Sequence, residues 1–129
     1  MRDFCTLTKH LEIIGQEDFG KWIVNPDQLP FVNYGEEIYR LRDAIADLPG
    51  QHPEMNLYEY QAILKEQGLG GVSIKEVDVS HFDARTVAAL LVAAYREERF
   101  CDGYLMDCLE KGCIQRWLQR LQELDGAER

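Results

Sequence analysis

No stretch of this chain approaches the length of a membrane span, and its first residues, MRDFCTLTKHL, lack the cationic and long apolar regions of a secretory leader. Cytoplasmic residence without membrane contact is expected. Basic runs and stripes are also missing: 14 Lys and Arg stand against 23 Asp and Glu, for a net charge of −9. Nucleic-acid binding draws mainly on phosphate neutralisation by Lys and Arg, so a nucleic-acid partner is disfavoured. Cysteine is scarce, and Cys5, Cys101, Cys108 and Cys113 offer neither a disulfide framework nor the C-x-x-C spacing of a zinc site. The histidines, His10, His52 and His81, are far apart, and no Gly-rich phosphate loop, G-x-S-x-G elbow or H-E-x-x-H pair occurs. The standard enzyme signals are therefore absent. An acidic body suits solubility or a protein partner.

What is present is helical patterning. With 129 residues and 46% hydrophobic content, the chain is long enough for one domain with its own core. Its centre of gravity is residues 83–111. Val87, Leu90, Leu91 and Ala94 repeat at helical spacing, and Ala84, Ala88, Ala89 and Ala93 fill the remaining faces, which predicts a helix packed on several sides. Continuing the Val87, Leu91 and Ala94 stripe at 100° per residue puts Glu98 and Asp102 in the sector of Leu105 and Leu109. A charge in a low-dielectric place is costly unless paired, hydrogen-bonded or neutralised.

Three compensations are open. Arg99 can bridge Asp102 at i+3, or Arg96 and Arg99 can reach acids on another helix. Alternatively the helix ends near Phe100, Asp102 caps the next one and Gly103 makes the turn. In the third, Glu98 and Asp102 form a carboxylate pair that binds a divalent metal or handles a proton, with Arg99 beside it for an anion. The structural readings are favoured over the catalytic one, because ion-pair networks also produce such acids.

The block Arg96-Glu97-Glu98-Arg99-Phe100-Cys101-Asp102-Gly103, followed by Gly112, Ile114, Leu118, Arg120 and Leu121, resembles a family of short uncharacterised bacterial and archaeal proteins. That family carries an R-x-E-R-F-x-D-G block and a G-x-I-x-x-x-L-x-R-L tail. The likeness is good over residues 86–124 and looser at Gly20-Lys21-Trp22, at 30–34 and at Tyr60 to Leu64. It implies a domain of unknown function in which the block matters, and it implies no activity.

The remaining segments predict a mainly α protein: a compact bundle of about five helices, with one or two short strands in 20–34 and 72–79, forming a single domain over 1–129 with 125–129 as a frayed tail. Leu7, Leu11 and Ile14 mark a first helix over 6–14, with His10 on its surface. Trp22, Phe31 and Tyr34 lie in a loop-like stretch that either lids the core or forms an aromatic pocket. Ile38, Leu41, Ile45 and Leu48 define a helix that Pro49-Gly50 should end. Asn56 with Glu59 reads as a capping box for a helix to Gln67, and Ser80 with Asp83 as the cap of the central helix. Ile114, Trp117, Leu118, Leu121 and Leu124 give the last helix a wide apolar stripe, enough to suggest a homodimer through 113–124 or 35–48. The reading that results is a small helical protein-interaction or regulatory module that self-associates, with the Arg96–Gly103 corner structural or in contact with a partner. The alternative is an enzyme or a metal- or anion-binding protein using Glu98, Arg99 and Asp102.

Overall fold

The central segment forms the helix on which the others lean. A computed structural model describes residues 4–11, 20–27, 29, 31–69, 74–101 and 103–128, with the backbone alone for 5, 6, 31, 32 and 126–128. The chain is mainly helical. In order it forms a one-turn helix α1 (Cys5–Thr8), strands β1 (Gly20–Ile23) and β2 (Phe31–Tyr34), and helices α2 (Glu36–Gln51), α3 (Tyr60–Glu66), α4 (Ala84–Glu98), α5 (Tyr104–Glu110) and α6 (Cys113–Glu128). Single 3-10 turns lie at Pro53–Met55, Leu57–Glu59 and Ile74–Glu76.

Helix α4 packs against α2, α3, α5 and α6. Its alanines make that possible, since a side chain one carbon long lets neighbouring backbones approach, and every residue from Thr86 to Ala94 is buried. Leu90 and Leu91 are fully enclosed. Burial of each contributes roughly 1.5–3 kcal/mol. The helix starts where Asp83, in extended conformation, accepts a hydrogen bond from Thr86 N at 2.9 Å. Asp83 is thus the cap, and Ser80 donates its own N–H to Asp78 instead.

β1 and β2 form an antiparallel pair with Gly20 opposite Tyr34 and Trp22 opposite Val32. The register depends on Gly20, because a Cβ there would lie 2.5 Å from the Asn33 carbonyl oxygen. The strands expected in 20–34 are therefore present, while residues 74–79 hold a 3-10 turn and no strand. Lys75 explains that turn. Its ammonium lies 2.6 Å from Asp107 Oδ2 and 4.1 Å from the Tyr104 ring centroid, and its carbonyl accepts from Cys113 Sγ and Arg116, so the segment is clasped to α5 and α6 instead of to a sheet.

Other boundaries differ from the sequence expectation. α2 runs through Pro49 to Gln51, and His52 N still bonds Leu48 O at 3.0 Å. Near a helix end proline removes a single bond, and burial of Leu48 and Pro49 outweighs it. Asn56 is left-handed with φ 55° and makes no side-chain cap, so a 3-10 turn precedes α3 where a capping box was expected. The first helix is only Cys5–Thr8, its expected continuation over 12–14 lying outside the described residues. His10 is buried, not on the surface, and α6 continues to Glu128 with Asp125 buried.

Candidate functional site

Glu98 is the last residue of α4 and only 7% exposed. Its Oε1 accepts hydrogen bonds from the Tyr34 hydroxyl and from Leu105 N, both at 2.8 Å, and its Oε2 accepts from Gly103 N at 3.2 Å. The Tyr34 oxygen in turn accepts from Met106 N at 3.0 Å. The end of α4, the end of β2 and the first turn of α5 are thereby knotted together.

The arrangement follows from what a helix start lacks. The first N–H groups of α5 have no partner within the helix, and its N-cap is Gly103, which has no side chain to offer. A carboxylate from the preceding helix and a phenol from β2 take their place. Negative charge is favourable at that end of the helix dipole, and hydrogen bonds to a charged acceptor are the strong kind. Gly103 has φ 92°, a left-handed backbone that lets the chain turn from α4 into α5 beneath Glu98.

The sequence-predicted residues divide into an inner and an outer set. Glu98, Gly103 and Tyr34 are buried together. Phe100 is 87% exposed, Arg99 and Cys101 are exposed, and Arg96 is half-buried. Neither Arg96 nor Arg99 forms an ion pair with a described residue, so the arginine compensation expected for Glu98 is replaced by a phenol and two backbone amides. Asp102 lies outside the described residues, and the carboxylate pair is not described as a unit. Among the described residues no group of three or more His, Cys, Asp or Glu is placed to hold a metal ion.

Tyr34 is buried, with the Arg42 guanidinium 5.8 Å from its ring centroid and Tyr39 edge-on at 6.0 Å. Trp22 is 50% exposed, and the Phe31 side chain lies outside the description. What sequence reading missed is Tyr34 as the partner of Glu98, 64 residues away. No local signal could have paired them, although Tyr34 had been singled out for another reason.

The remaining polar groups of this end are set by burial. Burial pushes the Cys108 thiol up to about 12, and the Tyr104 phenol up to about 12. Both are protonated and unreactive at neutral pH. Burial alone would lower Lys75, but the hydrogen bond and charge of Asp107 outweigh it and leave the ammonium above its usual range, while the Lys75 hydrogen bond holds Asp107 below the ordinary carboxylate value. This pair is a clasp of opposite charges with no proton to exchange near pH 7.

The sequence of a family of unknown function (DUF6508), as captured in a family model, matches residues 20–126. No curated protein and no solved structure matches the chain.

Proposed function

The chain belongs to this family of unknown function, and from that premise we propose that it is a small interaction module that self-associates through the corner at Arg96–Gly103. The observation that carries the reading is Phe100, a large apolar side chain 87% exposed, two residues beyond a carboxylate anchored from beneath. Exposed Glu97 and Arg99 flank it, and neither forms an ion pair with a described residue. A patch that carries an aromatic, an acid and a base can meet its own copy across a two-fold axis, Phe100 against Phe100 and Arg99 against Glu97 of the second copy. Glu98 and Tyr34 are the frame that holds the patch in shape.

The apolar faces of α2 and α6 support the dimer less well, since Ile38, Leu41, Ile45, Ile114, Trp117, Leu118 and Leu121 are buried within one chain. A metal or catalytic role for Glu98 and Arg99 has less support too. The Glu98 oxygens already accept from three donors, and Arg99 points no contact at them. A contact made by Phe100, Glu97 and Arg99 alone supports weak association.

Sedimentation velocity from about 10 to 500 μM is the test, a range suited to weak complexes. The weight-average mass of the wild type is expected to rise with concentration. Phe100→Ser and Arg99→Glu are expected to remain at the mass of one chain, and Glu97→Arg combined with Arg99→Glu to restore association. A wild-type mass of one chain throughout the range removes the proposal.

A further inference from the structure

The polar face of α6 carries Arg116, Gln119, Arg120 and Glu123 at i, i+3, i+4 and i+7, a spacing that stacks them along one side of the helix. A cleft of about 170 Å³ lies between this face and residues 78–80, with Asp78 and Ser80 in its other wall. Its two guanidinium groups are held by neutral acceptors. Arg116 donates from Nη1 to the Lys111 carbonyl at 3.1 Å, and from Nη2 to the Lys75 carbonyl at 3.2 Å and to Cys113 Sγ at 3.5 Å. Arg120 donates from Nε to the Phe82 carbonyl at 3.0 Å. Arg116 forms no ion pair with a described residue, and the Glu123 carboxylate, 3.5 Å from Arg120 Nη1, belongs to a side chain 58% exposed, where such a pair contributes little. A guanidinium has five N–H donors, so these contacts fix both groups while donors and charge remain. The entropy that a loose arginine would lose on meeting an anion is already lost in folding.

The acids of the cleft decide what kind of anion fits. Asp78 Oδ1 accepts from Ser80 N at 3.0 Å, and the hydrogen bonds from Ser80 hold its carboxyl below the usual range, so it is ionised near neutral pH. A bare anion such as phosphate meets two carboxylates here, Asp78 and Glu123, on a chain whose net charge is −9. A neutral ligand that carries one charge of each sign avoids that repulsion and uses both sets of side chains. The cleft is also smaller than the sites of drug-sized molecules, about 300–1,000 Å³. We propose that it binds a small zwitterion of the α-amino acid class, with the carboxylate on Arg116 and Arg120 and the ammonium on Asp78 and Glu123. The planar guanidinium matches the two oxygens of a carboxylate with paired N–H groups. None of the residues of the Arg96–Gly103 corner takes part.

Glycine, L-alanine, L-glutamate and L-lysine, each taken to about 50 mM at one ionic strength, are the probes for a millimolar site. The Nε–Hε cross-peaks of Arg116 and Arg120 in the ¹⁵N-labelled full chain are the readout. Saturable movement of both is expected with at least one of the four. Acetate and methylammonium, which carry the two charges separately, are expected to bind at least ten-fold more weakly than that amino acid. Asp78→Asn with Glu123→Gln, both at exposed positions, is expected to weaken the amino acid at least five-fold and to strengthen acetate, a reversal that a purely structural role would not produce. Phe100→Ser is expected to leave the titration unchanged, which separates this cleft from the self-association corner. No saturable movement with any of the four overturns the inference. Phosphate or acetate binding as tightly as the amino acid also overturns it, since the site would then be one for anions, and so does an amino acid affinity that the double variant leaves unaltered.

Discussion

Removing the Tyr34 hydroxyl takes a donor from Glu98 and an acceptor from Met106 N in one change. Tyr34→Phe leaves the ring buried and is expected to destabilise the fold by about 2 kcal/mol, since both groups lose a buried partner. Gly103→Ala forces a side chain onto a backbone with φ 92° and is expected to cost about 1–2 kcal/mol. Urea denaturation measures both, and a cost below about 0.5 kcal/mol for Tyr34→Phe would mean that the hydroxyl bridge is dispensable, as surface changes are. Of this site, the sequence shows the anomaly and hides the remedy. Helical periodicity alone places Glu98 among apolar neighbours, and it is buried there. Its partners are a tyrosine far off in sequence and backbone amides that no side-chain pattern records. Glu98 takes neither nearby arginine, since Arg99 is exposed beyond the last turn of α4, where water solvates it without the desolvation cost of a buried ion pair, while its expected bridge to Asp102 lies outside the described residues.

The elements were legible where one apolar stripe ran long. α2, α4 and α6 each show three or more inward positions at helical spacing, and each is a helix. Legibility failed where a short segment answers to contacts instead of period, as with Ile74–Glu76, whose β-branched neighbourhood suggested a strand and whose Lys75 is held to α5. α1 is a second such case, and it carries a pH dependence. Burial first, and then the Lys9 charge, hold His10 below its ordinary value of 6.5, with Glu37 opposing and Arg40 adding to the effect. Above pH 6.5 the imidazole is neutral in both folded and unfolded chains and costs nothing. As pH falls below that point the unfolded chain takes the proton first, so stability is expected to fall. His10→Asn is expected to flatten the change in urea midpoint between about pH 7.5 and 5.5, a range above most carboxylate titration. Equal slopes for variant and wild type would show that His10 is not the group responsible.

At the scale of the whole molecule, a single alanine-lined helix organises the core, and its last residue is spent on holding the corner that follows. No helix of the described residues is long and apolar enough to cross a membrane. Phe100, 87% exposed, stands outward at the corner that Glu98 holds. The central claim is that Glu98 serves the frame and leaves recognition to what stands on it. Thermal unfolding of the wild type and Glu98→Gln, each with and without Mg²⁺, Mn²⁺ or Zn²⁺, tests this most directly, because specific metal binding to the folded form must raise the midpoint. The account predicts that Glu98→Gln lowers the midpoint in the absence of metal, by several degrees for a loss of about 1–3 kcal/mol, and that no metal raises the wild-type midpoint through Glu98. A metal-dependent rise in the wild type that Glu98→Gln abolishes while leaving the metal-free midpoint unchanged would contradict it.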